Sequence, residues 1–127
     1  YSVSCDALAD TSKTDADVAA TVKDLGDKGV ADGLAEDTQG RIYITSVEQN
    51  AITRRLPNGL FETVVHDDHL LWPDTLSLGR DGFLYILSNQ LHRQKDYNAG
   101  RDLRQKPYLL TRVRVNAKPV IFNGKTK

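Results

Sequence analysis

Several features that would point to a particular class of protein are scarce in this chain. A single cysteine, Cys5, excludes an internal disulfide framework and a four-cysteine zinc site. Basic and acidic residues balance at 17 each, so the chain lacks the positive charge of a nucleic-acid-binding protein. No apolar run is long enough for a membrane span, and P-loop, dinucleotide-binding and serine-hydrolase motifs are absent. We therefore expect no nucleic-acid partner and no membrane span.

Methionine is also missing from all 127 residues. A natural full-length product begins with methionine unless it is processed, so we expect this chain to be a fragment of a longer protein. Residues 1–20 carry no signal-peptide pattern. The sequence by itself leaves the compartment open.

What the chain does contain is an internal repeat. Residues 32–46 read DGLAEDTQGRIYITS, and residues 74–88 read DTLSLGRDGFLYILS. An offset of 42 residues superposes identical residues in the pairs Asp32/Asp74, Leu34/Leu76, Gly40/Gly82, Tyr43/Tyr85, Ile44/Ile86 and Ser46/Ser88. A period of about 40–45 residues with strand–turn–strand content is typical of a β-propeller blade.

The repeat predicts one blade over residues 32–65 and a second over residues 74–122. The third strands match at a different offset, because Ile52-Thr53-Arg54 resembles Leu110-Thr111-Arg112 58 residues later. The second blade therefore carries a 16-residue insertion, residues 93–108, between its second and third strands. This polar insertion is interpreted as a solvated loop, or alternatively as a rim loop that covers a channel or recognises an anion.

Two elements are predicted before the first blade. Residues 1–8 alternate in polarity and are assigned to the outer strand of a preceding blade. Residues 14–26 are assigned to a connecting helix, with Thr14 as N-cap, Asp17 as its capping-box partner and Gly26 as its end.

The expected fold is all-β: residues 1–127 form a partial β-propeller with one short N-terminal helix. It comprises about two four-stranded antiparallel blades of a six-bladed propeller. An open pair of blades would expose apolar flanks and unpaired edges. We therefore expect the partner to be the rest of the same propeller or further copies of the chain, with residues 1–8 completing a neighbour's last blade.

Several short motifs carry a more specific signal: Asp32-Gly33-Leu34, Leu71-Trp72-Pro73-Asp74-Thr75-Leu76, Ser88-Asn89-Gln90-Leu91 and Gly100-Arg101-Asp102-Leu103-Arg104. With these motifs, most of the chain resembles the yellow / major royal jelly protein family, particularly its bacterial members. The resemblance implies the C-terminal portion of a six-bladed propeller and a secreted or periplasmic location. A more distant similarity runs to gluconolactonase and regucalcin propellers, in which acidic and amide residues at inner-strand starts hold a divalent metal.

The resemblance implies function only coarsely, because the family includes amine-binding proteins, enzymes that act on dopachrome and storage proteins. We expect a ligand-binding or hydrolase-like propeller that acts on a small polar molecule at the mouth of the central channel. The alternatives are a non-catalytic scaffold or storage propeller and a divalent-metal-dependent lactonase. Whether the chain is an enzyme stays open, and no catalytic residue is assigned.

Candidate site residues follow from propeller geometry, in which the inner strand of each blade lines the channel. Asp32 and Asp74 begin inner strands, while Glu48 and Asn89 end second strands that return to the same rim. We predict that Asp32, Asp74, Thr75 and Asn89 bind the ligand. The sequence specifies no cofactor with certainty, but Asp32 and Asp74 also suit Ca²⁺ or another divalent metal. The alternative is that both aspartates only satisfy loop amides.

Two ring side chains near these motifs receive structural interpretations. Trp72 is interpreted as a packing anchor between blades, with ligand stacking as the alternative. His92 is interpreted as a surface residue.

Overall fold

The computed structural model describes residues 1–121, and within that range the chain is built mainly from two antiparallel sheets. The first sheet has the order β1-β2-β3-β4 and the second the order β5-β6-β7. The strands are β1 (Leu34–Glu36), β2 (Ile42–Ser46), β3 (Ala51–Arg55), β4 (Phe61–His66), β5 (Pro73–Leu78), β6 (Phe83–Ser88) and β7 (Leu109–Arg114). The helices are α1 (Cys5–Ala9) and α2 (Asp15–Ala19), and the 3₁₀ turns are Val47–Gln49, Leu91–Arg93 and Lys95–Tyr97. The all-β prediction is confirmed.

The two sheets repeat each other residue by residue. Tyr43 lies opposite Arg54 in the first sheet, and Tyr85 lies opposite Arg112 in the second. These pairs keep the offsets of 42 and 58 residues found in the sequence. The insertion at residues 93–108 lies between β6 and β7, as the difference between the two offsets predicts.

The core lies where the two sheets face each other. Aromatic and branched residues in β2 and β6 favour a pleated, buried surface, and these central strands supply much of the core. Its fully or nearly fully buried apolar residues are Tyr43, Ile52, Leu70, Leu78, Leu84, Ile86 and Ala117. Because β2 and β6 are flanked by other strands on both sides, their backbone groups are paired while their side chains are removed from water.

One buried carboxylate organises the turn between β1 and β2. Asp37 is 1% exposed and accepts hydrogen bonds from the Gln39 amide at 2.9 Å, the Arg41 amide at 3.1 Å and Arg41 Nε at 2.6 Å. The Tyr43 hydroxyl also donates to Asp37 at 3.0 Å and in turn accepts a bond from Arg54 at 3.2 Å. The turn is therefore tied to the buried ring of β2 and through it to β3.

The strand predicted over residues 1–8 is wrong. Within these residues only Ser2 forms a β-bridge, which it makes with Lys23, and the chain then enters α1. The side chain of Ser4 caps this helix by accepting from the Ala7 amide at 3.3 Å, a local interaction that competes with extended backbone.

The helix predicted over residues 14–26 begins where expected but is shorter. Thr14 and Asp17 form the predicted capping box, so the start is confirmed. The helix ends at Ala19, because the chain turns back so that Lys23 can exchange two backbone hydrogen bonds with Ser2.

The second sheet differs from the predicted four-stranded blade over residues 74–122, because within the described range it has three strands. After β7 the chain crosses to the first sheet, where the Lys118 carbonyl accepts from the Thr38 amide at 3.0 Å and Pro119 bridges the same turn. Proline lacks an N–H and cannot donate to a ladder, which disfavours a regular strand here. Phe122, the last residue of the predicted blade, lies outside the described residues.

Asp37 makes the free energy of unfolding depend on pH in the acidic range. Burial alone would raise the pKa of its carboxyl, but the hydrogen bonds from Arg41, Gln39 and Tyr43 outweigh burial and hold that pKa below its ordinary value. Since the pKa is lower in the folded chain, the stabilisation is complete above the unfolded value of about 3.9 and is lost as pH falls through the folded value.

We predict that Asp37→Asn lowers the free energy of unfolding by about 2–3 kcal/mol at neutral pH, because a charged acceptor is lost from a buried network. Denaturant unfolding between about pH 2 and pH 7 measures this change, and the acid-induced loss should be flatter in the variant. Asp81→Asn is the matched control, since exposed Asp81 accepts from the equivalent hydroxyl of Tyr85 at 2.7 Å and should cost less. Equal losses in the two variants would contradict the prediction.

Candidate functional site

Asp74 occupies an irregular position at the start of β5. Pro73 lies opposite Ser88 and Thr75 lies opposite Leu87, so Asp74 is an extra residue without a partner in β6. Such a β-bulge bends the strand and redirects the side chain of the inserted residue. The bulge therefore turns Asp74 out of the regular alternation of β5.

A close backbone approach brings Asp32 to the same place. A Cβ atom added at Gly33 would lie 2.8 Å from the carbonyl oxygen of Asp74 and 3.2 Å from the Cα of Thr75, so only glycine fits here. The buried hydroxyl of Thr45 fixes this segment by accepting from the Asp32 amide at 3.1 Å and from the Gly33 amide at 2.8 Å. Adjacent ends of the two sheets thus place the two aspartates side by side.

The two carboxyl groups and an amide form one polar cluster. The side chains of Asp32 and Asn89 lie close enough to the Asp74 carboxyl to influence its pKa. Burial is the main cause that raises the pKa of Asp74, and the charge and hydrogen bond of Asp32 raise it further, while the bond from Asn89 acts in the opposite direction. Asp74 therefore holds its proton to higher pH than an isolated aspartate would.

Trp72 and His92 border this cluster. The indole Nε1 of Trp72 donates to Oδ2 of Asp32 at 2.6 Å, and its ring stacks on that of His92 with centroids 5.8 Å apart. Burial, followed by the charge of Arg93, lowers the pKa of His92, which favours the neutral imidazole at neutral pH. Trp72 thus joins the first residue of one repeat to the start of the other. His92 is exposed, as expected of a surface residue, and its ring covers one face of the indole.

The side chain of Gln90 holds the insertion beside the cluster by hydrogen bonds to the backbone of Gln105. Gln90 is 6% exposed, and its side chain donates to the Gln105 carbonyl at 2.7 Å while accepting from the Gln105 amide at 2.8 Å. The Gln90 amide itself donates to the Leu71 carbonyl at 3.1 Å. Residues 93–108 are therefore fastened at their far end to the segment that carries the site.

The structure brings together three of the four residues predicted to bind ligand: Asp32, Asp74 and Asn89. Thr75 is exposed, and within the described part of the chain no hydrogen bond joins its side chain to the other three. Glu48, which was expected at the same rim, instead lines a separate cavity of about 250 Å³ on the first sheet. The site is smaller than the sequence suggested.

No group of three or more His, Cys, Asp or Glu side chains in residues 1–121 is placed to hold a metal ion. Asp32 and Asp74 supply two carboxylates, but Asn89 Oδ1 already accepts from the Leu91 amide at 2.9 Å. A metal on the two aspartates stays a prediction. None of the helices in the described range has the length and apolarity needed to span a membrane.

The sequence analysis did not predict the close approach at Gly33, the Trp72–Asp32 hydrogen bond or the hydrogen bonds from Gln90 to Gln105. Gly33 corresponds to Thr75 in the repeat, so the repeat itself did not mark it. The position of Trp72 two residues before Asp74, inside the motif that carries the resemblance, was the available signal for its role. The contact between Gln90 and Gln105 spans 15 residues and has no sequence signature.

The comparisons with known proteins agree with the predicted family. The family model described as "Major royal jelly protein" matches residues 1–120 of the chain. A search of curated proteins returned no match. Because members of that family fold as β-propellers, the two sheets are consecutive propeller blades.

We predict that Gly33→Ala lowers the free energy of unfolding by about 1–3 kcal/mol, because the added methyl group overpacks the contact with Asp74. It should also shift the fluorescence of Trp72, the chain's one tryptophan, since the Trp72–Asp32 bond depends on this contact. Gly29→Ala is the control: its φ of 75° makes alanine strained, but an added Cβ meets nothing within 4 Å. An unchanged Trp72 spectrum in Gly33→Ala would contradict the assignment.

The raised pKa of Asp74 predicts that this residue costs stability at neutral pH. Its stabilising contribution is present below the unfolded value of about 3.9 and is lost as pH rises through the folded value. Asp74→Asn should therefore melt at a higher temperature than the parent near pH 7, and the difference should shrink in acid. Thermal unfolding by circular dichroism measures this, with exposed Asp68→Asn as the control for net charge. A variant less stable than the parent at neutral pH would refute the prediction.

Proposed function

This chain belongs to the major royal jelly protein family, and on that premise we propose that it binds a small polar molecule carrying an ammonium group. The proposed site is the cluster of Asp32, Asp74 and Asn89 beside Trp72. The observation that carries the proposal is the close backbone approach of Gly33 to Asp74, which brings carboxyl groups from the two blades together. The raised pKa of the Asp74 carboxyl, due to burial and to Asp32, agrees with it.

Charge and shape support a cationic ligand. Two adjacent carboxyl groups repel each other when both are ionised, and a cation placed between them relieves this repulsion. An ammonium group has donors for both carboxylates, and the nearby indole ring of Trp72 offers a surface for the organic part of the ligand. Binding should favour the ionised form of Asp74, so affinity should rise with pH through the titration of Asp74.

The backbone around the site also supports a functional role. Trp72 and Gln90 have φ angles of 57°, in the left-handed region that bulky side chains rarely adopt. Such residues cost about 1–3 kcal/mol each and cluster at ligand sites. The two strained residues lie on facing segments joined by the Asn89 amide, which donates to the Trp72 carbonyl at 3.2 Å.

A hydrolase-like activity is the second candidate, and the raised pKa of Asp74 favours it. A carboxyl group with a raised pKa beside a second carboxyl group has the arrangement of an acid–base pair. In such a reaction Asp74 would donate a proton to a leaving oxygen, and Asp32 would accept one from water.

Calorimetry distinguishes these functions. We expect tyramine to release heat on binding. In acid, where Asp74 is partly protonated, this heat should vary with the ionisation enthalpy of the buffer, because binding expels the proton. Asp32→Asn and Asp74→Asn should each weaken binding by roughly tenfold or more, since each removes a bond to a charged group. Glu48→Gln is the matched control, because Glu48 lines the separate cavity and should leave the affinity unchanged.

Three other outcomes would overturn the amine-binding proposal. Opening of glucono-δ-lactone only with Ca²⁺, lost in Asp74→Asn, would establish the metal-dependent lactonase. Metal-free hydrolysis lost in the same variant would favour the acid–base pair. Absence of heat and turnover with tyramine, Ca²⁺ and lactone would favour a scaffold or storage role.

A further inference from the structure

The insertion brings positive charge to the side of the aspartate cluster. Residues 93–108 contain five basic and two acidic side chains, whereas the whole chain has no net charge. One of the two acids, Asp102, is already paired with Arg104. The insertion therefore has a net charge of +3, the five basic less the two acidic groups, and it lies beside a cluster whose charged groups are carboxyls. A negative and a positive part of the surface are thus adjacent.

Hydrogen bonds fix the backbone of the insertion, so its first cation has a defined place. The Arg93 amide donates to the Gln90 carbonyl at 2.9 Å, and the Arg93 carbonyl accepts from the Leu103 amide at 2.9 Å. The side-chain amide of Asn98 also donates to the His92 carbonyl at 2.9 Å. A charge on a fixed segment binds a ligand at a lower ordering cost than a charge on a mobile one.

Arg93 is the basic residue of the insertion that the fold connects most directly to the cluster. It follows His92, whose ring stacks on Trp72, and Trp72 in turn donates to Asp32. Burial lowers the pKa of His92 and the charge of Arg93 lowers it further, so the guanidinium acts at this ring. Within the part of the chain that the structure describes, Arg93 is half-buried and forms no ion pair. A guanidinium of this kind suits a carboxylate, which it can bind through two parallel hydrogen bonds.

We propose that the ligand of this site is an amine that also carries a carboxylate, with the ammonium group bound by Asp32 and Asp74 and the carboxylate bound by Arg93. The inference rests on the amine-binding function proposed above. The stacked rings of Trp72 and His92 separate the aspartates from Arg93, so the two charged groups lie at opposite ends of the ligand. An α-amino acid carries both charges on one carbon atom and is too short to meet both partners.

The probe is para-(aminoethyl)benzoate, which is tyramine with a carboxylate in place of the hydroxyl group. Calorimetry at neutral pH should show that the parent chain binds the probe about three- to tenfold more tightly than tyramine. This range lies between that of an exposed ion pair and that of a hydrogen bond to a buried charge. Phenylalanine, an isomer of the probe with both charges on one carbon atom, should bind less tightly than the probe.

Two variants test the assignment of the carboxylate to Arg93. Arg93→Gln should remove the preference, so that the probe and tyramine bind with similar affinity. Arg80→Gln is the matched control, because Arg80 lies in the turn at the opposite end of β5 and its loss changes the net charge equally. This control should keep the preference, and circular dichroism shows whether both variants keep their sheets.

The outcomes separate this inference from the function on which it rests. Tyramine binding combined with equal affinity for the probe, with tighter binding of phenylalanine than of the probe, or with a preference that survives Arg93→Gln would overturn the inference and leave the amine-binding function standing. Equal loss of the preference in Arg80→Gln and Arg93→Gln would also overturn it. If neither tyramine nor the probe binds, the amine-binding function and this inference both fail.

Discussion

The close approach between the backbones of Gly33 and Asp74 is the constraint on which the candidate site depends. A side chain at residue 33 would collide with the carbonyl of Asp74, so the beginnings of β1 and β5 meet only because glycine stands there. The Thr45 hydroxyl fixes this segment by accepting from the Gly33 amide, and the bulge at Asp74 takes that residue out of the regular alternation of β5. The site is consequently a property of two blades packed together and is present in neither blade alone.

Aspartates at different positions of this fold act in opposite directions on stability. Asp37 accepts four hydrogen bonds in its turn, which lower the pKa of its carboxyl and stabilise the folded chain at neutral pH. The pKa of Asp74 is raised by burial and by Asp32, so its ionisation opposes folding. Strained backbone at Trp72 adds to that cost. The environment of each carboxyl group therefore decides whether its ionisation stabilises the fold, as at Asp37, or opposes folding, as at Asp74.

Much of the sheet architecture followed from the sequence, because the repeat constrains register as well as strand positions. The cap of α2 at Thr14 was predictable since it is local. Residues 1–8 were not, because a short alternating segment is equally compatible with a helix capped by Ser4. Gly33 could not be identified because its role depends on a contact between blades, which no local pattern encodes. The bridge between Pro119 and Asp37 of the first sheet likewise depends on tertiary contacts, so the local sequence did not predict it.

An NMR titration of the nitrogen-labelled chain with tyramine tests most directly whether two blades form one ligand site. The single tryptophan gives one indole signal, from Trp72, and the side-chain amide of Asn89 reports from the other edge of the cluster. We predict that both signals shift with a common dissociation constant, while the backbone amide of Gly29, in the cavity of Glu48, stays unchanged. A shift of Gly29 alone, or indole and amide signals that do not move at saturating ligand, would contradict the assignment.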